Sequence, residues 1–566
     1  IAGVTGVFFR ALAFTVGAAL LTSLALALTW TPTLSHFFIR KQHAGRAVES
    51  SVSPRVMRVY ERVLRGALEH PLLLALGGVV LIAGSYLCFN AIGSDLLPTL
   101  DEGGFVLDYF TPAGASLAET NRMVSHIESI LAKIPEVETT SRRTGMELGL
   151  AAVTEANRGD ISVRLKANRA RTTEEVMDDV RDKVTKAEPV MDIELVQKLE
   201  DEIGDLSNEP EPIAIKLFCE DPDVLRDWAT RVGEAIKKIP GVVDVLDGIE
   251  NTISGPASIF QVDPVASARA GFTPEEIEQD ASAILQGEPA TTPVVINDRV
   301  YTIRVRFPER TRATLDDIRN TLLVSSSGKT ATIGSLASFT DLPGQTEIRR
   351  DNLQRLVTVT GRLEGVNLGE GIKRVKQTLA DLNMPPSIRF EFGGGYQEQQ
   401  KSFKDLAFVL VLAIVLVFTV LLFEFANFGA PIAVLCSALL STCGVFGALL
   451  ATRNTFNLSS FMGLIMVIGI VAKNGILLLD ADQKFRAEGL SPEEAMLRAG
   501  ERRLRPIMMT ALATVAGMIP LALAWGAGSQ MLQPLAIAVI GGILASMVLS
   551  LVVTPAIRYY IGGRER

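Results

Sequence analysis

The stretch Ser459 to Asp482, SSFMGLIMVIGIVAKNGILLLDAD, constrains this chain more than any other. It is apolar and about as long as a helix needs to be to cross a bilayer. Near its middle stand Lys473 and Asn474. An ammonium group at bilayer depth costs several kcal/mol on insertion scales. A lysine stem reaches only about 6 Å, against roughly 15 Å from the helix centre to either surface, so snorkelling is a poor escape. Lys473 is therefore read as facing a bundle interior and pairing with carboxylates. An intramembrane ion pair that gains and loses a proton is what a proton-driven transporter requires.

The remaining hydrophobicity is blocked in the same way. Of the 566 residues, the segments at about 11–31, 70–89, 403–423, 428–451, 459–482, 506–525 and 534–557 read as membrane spans. They place a large extramembrane insert at about 90–402. The fold class expected is an integral membrane α-helical bundle of about seven spans with an α+β insert. The net charge of −8 is modest and not arranged in runs, which gives no footprint for nucleic acid. Cys88, Cys436 and Cys443 lie in apolar spans and Cys219 stands alone in the insert, so neither a disulfide framework nor zinc spacing follows. The sequence starts at Ile1 inside an apolar region, and it reads as a fragment or one half of a longer protein.

Orientation follows from lysine and arginine in the short loops. The connector at about 41–69, whose piece Pro54 to Leu72 is amphipathic enough to lie on a membrane surface, is basic. So are the loop Gln483 to Arg505 and the tail. With seven spans all three fall on the cytoplasmic side, and the insert falls on the other, the periplasm in a cell with two membranes. The first span ends LALALTWTP and the last ends VLSLVVTP, an echo expected of a transporter built from two similar halves.

Within the insert, strand-like runs alternate with amphipathic helices. Two helices end in matching phrases, AKIPEV (Ala132 to Val137) and KKIPGV (Lys237 to Val242). Proline stops each helix and valine opens a strand. Two such units predict ferredoxin-like split βαβ modules, with the segment at about 251–348 inserted into the second.

Catalytic motifs are missing. SSSGKT (Ser325 to Thr330) has Leu323 where a phosphate-binding loop needs glycine, and it reads as a hairpin tip. No HExxH, GxSxG or metal-spaced Cys/His cluster occurs. DEGG (Asp101 to Gly104) has no partner nearby in sequence. The pairs Asp178/Asp179 and Asp316/Asp317 read as solvated faces. In the spans, Asp480 lies seven residues after Lys473 on nearly the same face. Thr510 bonded back to its own helix and Arg503 as a positive-inside anchor are the ordinary readings of those two residues.

The region GIVAKNGILLLDAD, RRLRPIMMTALATVAGMIPLA, GAGSQ and VIGGILASMVLSLVVTPA resembles the C-terminal transmembrane half of resistance–nodulation–division efflux permeases. The order of spans and the insert are also similar, so the likeness covers nearly the whole chain, which would begin near the end of the sixth of twelve spans. The resemblance implies a proton-driven antiporter, with the proton gradient in place of a cofactor. It implies a homotrimer in the inner membrane, in contact with lipid, that works with a periplasmic adaptor and an outer-membrane channel. Lys473 matches the relay lysine, Asn474 its neighbour, Arg503 the relay arginine and Thr510 the relay threonine. The family's aspartate pair belongs to the fourth span, which this sequence does not include.

By the same resemblance, residues 1–40 hold the first span and 41–69 an interfacial connector. Residues 70–89 are a span, 90–186 a first porter subdomain, 187–250 and 349–402 the two parts of a second, 251–348 a docking subdomain, and 403–566 five spans. Gly145 to Asn157 aligns with a mobile loop dividing the substrate pockets, with Gly145, Met146, Glu147, Leu148 and Gly149 at its start. For substrate, the relay lysine suits a drug and hydrophobe branch, whereas LLPTLDEGGF (Leu96 to Phe105) looks more like a heavy-metal branch. The insert's methionines are not clustered, so amphiphilic organic compounds are placed ahead of metal ions. A docking scaffold that does not transport is the remaining alternative.

Overall fold

The structure is a computed structural model that describes residues 3–38, 54–145, 147–148, 153–154, 156–207, 211–249, 257–308, 310, 312–342, 348–526 and 528–562. Three helices come first: α1 (Gly3–Phe38), α2 (Pro54–Glu69) and α3 (Pro71–Ile92). α2 buries Tyr60, Leu64 and Leu68, four residues apart on one face, and leaves Val56, Val59 and Val63 exposed. One stripe is thus spent on the protein and another is free for the membrane surface.

The first half of the insert is a single sheet covered by two helices. Its elements are β1 (Gly104–Phe110), α4 (Leu117–Leu131), β2 (Val137–Thr144), the short pair β3 (Glu147–Leu148) and β4 (Val153–Thr154), β5 (Arg158–Leu165), α5 (Thr173–Ala187) and β6 (Asp192–Gln197). The strand order β2-β5-β1-β6, with every neighbour antiparallel, is the ferredoxin-like arrangement. Phe105, Leu107 and Tyr109 alternate along β1 and meet Val124, Ile127 and Leu131 of α4 and Val176, Val180 and Val184 of α5 in one core. α5 starts where it does because Thr172 and Glu175 close a capping box. β6 completes this sheet, so the layer runs past the boundary that the sequence placed at residue 187.

After α6 (Lys198–Ser207), the same topology starts again with β7 (Ile213–Phe218), α7 (Pro222–Ile236) and β8 (Val242–Leu246). It is then interrupted by β9 (Ala257–Val262), α8 (Pro264–Ala270), α9 (Pro274–Gln286), β10 (Glu288–Pro289), β11 (Val294–Ile296), β12 (Arg299–Tyr301), β13 (Arg304–Val305), α10 (Leu315–Arg319), β14 (Leu322–Val324), β15 (Thr330–Thr332), α11 (Ile333–Leu336), β16 (Ala337–Leu342) and β17 (Arg350–Asp351). It finishes with β18 (Gln354–Leu363), α12 (Leu368–Asp381) and β19 (Arg389–Gly393). β18 and β19 flank β7, and β8 pairs with the far edge of β18. The order β8-β18-β7-β19 therefore repeats that of the first module. Within the interruption, β14 and β15 pair around Ser325 to Lys329, which makes SSSGKT a hairpin tip.

The chain closes with α13 (Gly394–Phe425), α14 (Gly429–Leu440), α15 (Thr442–Ala451), α16 (Leu458–Ala487), α17 (Pro492–Ala522) and α18 (Gln533–Gly562). Among the described residues seven segments are long and apolar enough to cross a membrane, with α14 and α15 counting as one. The chain is a multi-pass membrane protein with a soluble insert. α16 and α18 are its most enclosed spans, and Val467, Ile468, Val471, Ala538 and Ile543 share its core. α15 and α18 cross so closely that a Cβ at Gly444 would stand 2.2 Å from the Gly541 carbonyl oxygen, and the reverse contact is equally short. Small residues let helix backbones meet in this way where lipid offers no competing hydrophobic force.

Several boundaries differ from the sequence reading. α17 begins at Pro492, not Pro506, because Ser491 caps it and proline suits its first turn. The basic segment Gln483 to Arg505 is therefore mostly helix. α13 begins directly after β19, nine residues before the span that the sequence starts at about 403. Tyr60 donates to the Leu551 carbonyl at 3.2 Å. This sets α2 beside the end of α18, at the opposite end of the bundle from the insert.

Candidate functional site

α16 carries the first candidate site. Asn457 caps it, accepting from the Ser460 amide at 3.1 Å. Its buried side holds Leu464, Val467, Ile468, Val471, Leu478 and Asn474. Its other side, through Met466, Gly469, Lys473, Leu477 and Asp480, is partly or fully open. Lys473 is exposed on that side, and among the described residues it makes no ion pair. Asn474, its neighbour, is only 4% exposed. The lysine and the asparagine therefore serve different faces.

Arg503 and Thr510 lie on α17. Arg503 Nη2 stands 3.6 Å from Asp480 Oδ2, which also receives Lys484 Nζ at 2.8 Å. Arg503 is thus tied to α16 on the side that carries Lys473. Thr510 Oγ1 donates to the Ile507 carbonyl at 3.1 Å, the back-bonding expected of a threonine inside a helix.

The proposed pocket loop is only partly described. Gly145 sits at φ +105 and closes β2, with Leu117 where a Cβ would point. Glu147 and Leu148 pair with Val153 and Thr154 in the β3–β4 hairpin. Met146 and Gly149 lie outside the described residues.

The sequence reading missed a charged seam between the two modules. The pairing of β18 with β8 shifts register between Thr360 and Arg362, and Arg362 resumes it opposite Val243. Arg362 is 5% exposed. Its Nε meets Glu194 Oε1 at 2.5 Å and its Nη1 stands 3.6 Å from Glu200. Asp108, opposite Glu194 in the sheet, and Glu211 share this environment. Burial, reinforced by Glu194, Asp201 and Asp160, pushes the Asp108 carboxyl up to about 7, against the pull of Arg362. Burial and Glu194 push Glu211 up to about 7, against Arg362 and Arg349. Arg181 makes a second clasp, with Asp244 at 2.8 Å and Glu364 at 2.7 Å. The signal was an aspartate inside the apolar run FVLDYF and a Gly-Arg pair near the end of a strand.

Other carboxylates are also better partnered than their sequence neighbourhoods suggested. Asp101 pairs with Arg169 and Thr173. Asp179 bridges Arg171 and Lys183, and Asp317 caps α10 with Thr314.

Between the insert and the spans lies a cavity of about 620 Å³. Asp95, Glu102, Glu174, Glu200, Glu211 and Glu398 line it, together with Arg453 and apolar residues such as Ile92, Leu97 and Leu458.

The family described as AcrB/AcrD/AcrF matches residues 1–562. The chain belongs to the AcrB/AcrD/AcrF family. It is 28% identical to the nickel and cobalt resistance protein CnrA of Cupriavidus metallidurans, over 98% of this chain and 52% of that one. It is 27% identical to the swarming motility protein SwrC of Bacillus subtilis, again over 98% of this chain and 52% of that one. A solved structure described as a heavy metal efflux pump, crystal form II, superposes with a TM-score of 0.77 at 27% identity, covering 90% of this chain and 52% of that one. The chain thus spans about half the length of the relatives it matches. Its spans and soluble insert are those of an AcrB/AcrD/AcrF inner-membrane protein.

Proposed function

We propose that this chain forms the C-terminal half of a proton-coupled efflux permease whose cargo is a heavy-metal cation. The observation that carries the transport reading is Lys473, a cation within an apolar span, on the open face of one of the two most enclosed spans. An uncompensated ammonium at that depth calls for a partner. In this reading an aspartate outside the chain supplies it. Protonation of that aspartate releases Lys473, with Asn474, Arg503 and Thr510 completing the relay. Such a protein is a transporter rather than an enzyme. A homotrimer, a periplasmic adaptor and an outer-membrane channel belong to the same proposal.

The cargo reading is supported by the metal resistance protein and the metal efflux pump, each similar over nearly all of this chain. It reverses the order in which the sequence alone ranked organic compounds and metals. The cavity also suits a cation, with six carboxylates against one arginine in its lining. Among the described residues no group of three or more His, Cys, Asp and Glu is arranged to hold a metal ion, so the cavity is read as a charged passage rather than a closed cage. Amphiphilic organic compounds are the second reading, favoured by the cavity's size and its apolar walls.

The test is Lys473→Ala in the whole transporter, expressed in a pump-deleted host. Growth is measured against nickel, cobalt, zinc, copper and silver salts and against dyes, detergents and antibiotics. Protection against metals that the variant loses at equal abundance supports the proposal. Protection against organic compounds alone moves the cargo to the second reading. A variant that protects as well as the parent removes Lys473 from the mechanism.

A further inference from the structure

The turn that follows α3 touches both the relay helix and the second module. Gly93 reverses the chain at φ +75, where a Cβ would fall 2.5 Å from the Asn367 side chain. Ser94 to Leu96 then lies beside the entry to α16. Ser94 and Phe456 form a parallel bridge. The Phe456 amide donates to Gly93 O at 3.1 Å, the Asp95 amide to Phe456 O at 3.1 Å, and the Leu458 amide to Leu96 O at 3.2 Å. On the other side the same turn holds the start of α12, where the Gly369 amide donates to Ser94 O at 2.9 Å.

One carboxylate joins the two sides. Asp95 Oδ1 accepts from the Leu368 amide at 2.7 Å, on the first turn of α12, and the Asp95 carboxylate also accepts from the Thr455 side chain, two residues before the cap of α16. A carboxylate at a helix N-terminus meets unpaired amides and the positive end of the dipole. Burial raises the Asp95 carboxyl against both hydrogen bonds. The covalent link from the second module into the bundle runs through Gly393 and Gly394, the latter at φ +72, so the Asp95 contacts form a second, noncovalent connection.

We propose that Asp95 is a positioning residue that couples α16 to α12, so that a change of partner at Lys473 moves the second porter module. Lys473 lies about 22 Å along α16 from its start, and a continuous helix carries displacement over that span. The proposal rests on the transport reading of Lys473.

The experiment uses the whole transporter in nanodiscs, with Cys88, Cys219, Cys436 and Cys443 replaced by serine. Nitroxides are placed at Gln377→Cys on α12 and Glu488→Cys beyond α16, both exposed positions. With Asp95 present, Lys473→Ala is expected to shift the mean label distance by about 2 Å, the scale of helix shifts in switching proteins. In an Asp95→Ala background that shift is expected to vanish. Asp95→Asn keeps an acceptor oxygen for the Leu368 amide and is expected to restore it. A shift of equal size in the alanine background, or none in the parent, overturns the coupling. Growth protection of Lys473→Ala is read in parallel. Protection lost with the distance unchanged removes the joint and keeps the transport reading, whereas protection kept removes the transport reading itself.

Discussion

The two charged regions of this molecule are built on opposite terms. In the seam between the modules, Arg362 is enclosed and its carboxylates come from this chain. On α16, Lys473 faces outward and its only charged neighbour along the helix face, Asp480, is already shared between Lys484 and Arg503. Burying charge is tolerated where partners and hydrogen bonds are at hand. The seam meets that condition within the chain, and the relay face does not. The seam is closed by its own charges, and the face that carries Lys473 is not.

The largest effect that would break this comparison concerns Arg362. Arg362→Ala leaves Glu194 buried beside Asp108 and Glu211 with no cation between them. Breaking a buried pair from one side costs about 3–5 kcal/mol. Amide hydrogen exchange in the full-length protein is expected to rise across β6 and β18, while α16 and α18 keep their protection. A variant with unchanged exchange in those strands would show that the seam is not held by Arg362.

Next comes the α15–α18 crossing. Gly541→Ala places a methyl against the Gly444 backbone, and overpacking of this kind costs about 1–3 kcal/mol. Thermal unfolding in detergent is expected to start earlier, with the insert's exchange unaffected. This tests whether the bundle and the insert are separable in energy as they are in packing.

The third effect is on pH. Asp108 and Glu211 hold their protons up to about 7 in the closed seam, whereas opened to water each returns toward an ordinary carboxylate value of about 4. The closed seam therefore binds more protons, so its advantage over the open form is intact below about pH 4 and declines as pH rises toward about 7. The protection factors of β6 and β18, with the intrinsic pH dependence of amide exchange divided out, are expected to fall between about pH 4 and about pH 7. Asp108→Asn with Glu211→Gln is expected to flatten that profile.

The smallest effect is at Asp480. Its partners are partly exposed, and such pairs are worth about 0–1 kcal/mol. Asp480→Asn is expected to leave unfolding within a degree or two of the parent. A large loss would mean that the face around Lys473 is structurally closed after all.

The bundle and the module topology were legible because long apolar runs and the repeated proline stops are local signals. Lys473 was legible for the same reason, since a cation in an apolar run needs no distant information to be noticed. The seam was not. Asp108, Glu194, Glu211 and Arg362 each look like isolated strand or loop charges, and only the antiparallel register of β1 with β6 and the packing of β18 beside it bring them together. Asp95 was hidden in the same way, its partners Leu368 and Thr455 lying far along the chain. The start of α17 lies earlier than the apolar span that begins at about 506, because the helix is set by the serine cap at Ser491 and runs through a polar turn before it becomes apolar.

The interruption of the second module bears on how the protein is made. The first sheet can close once β6 has emerged, because its strands follow one another in sequence. The second cannot, since Leu246 must wait for Thr360 and β7 for both β18 and β19. Nonlocal pairing of this kind is slow and leaves strand edges uncovered. Until then the edge of β7 is the segment most in need of a chaperone, and substitutions that slow the folding of the interrupting segment, 257–342, are expected to lower the yield of folded protein.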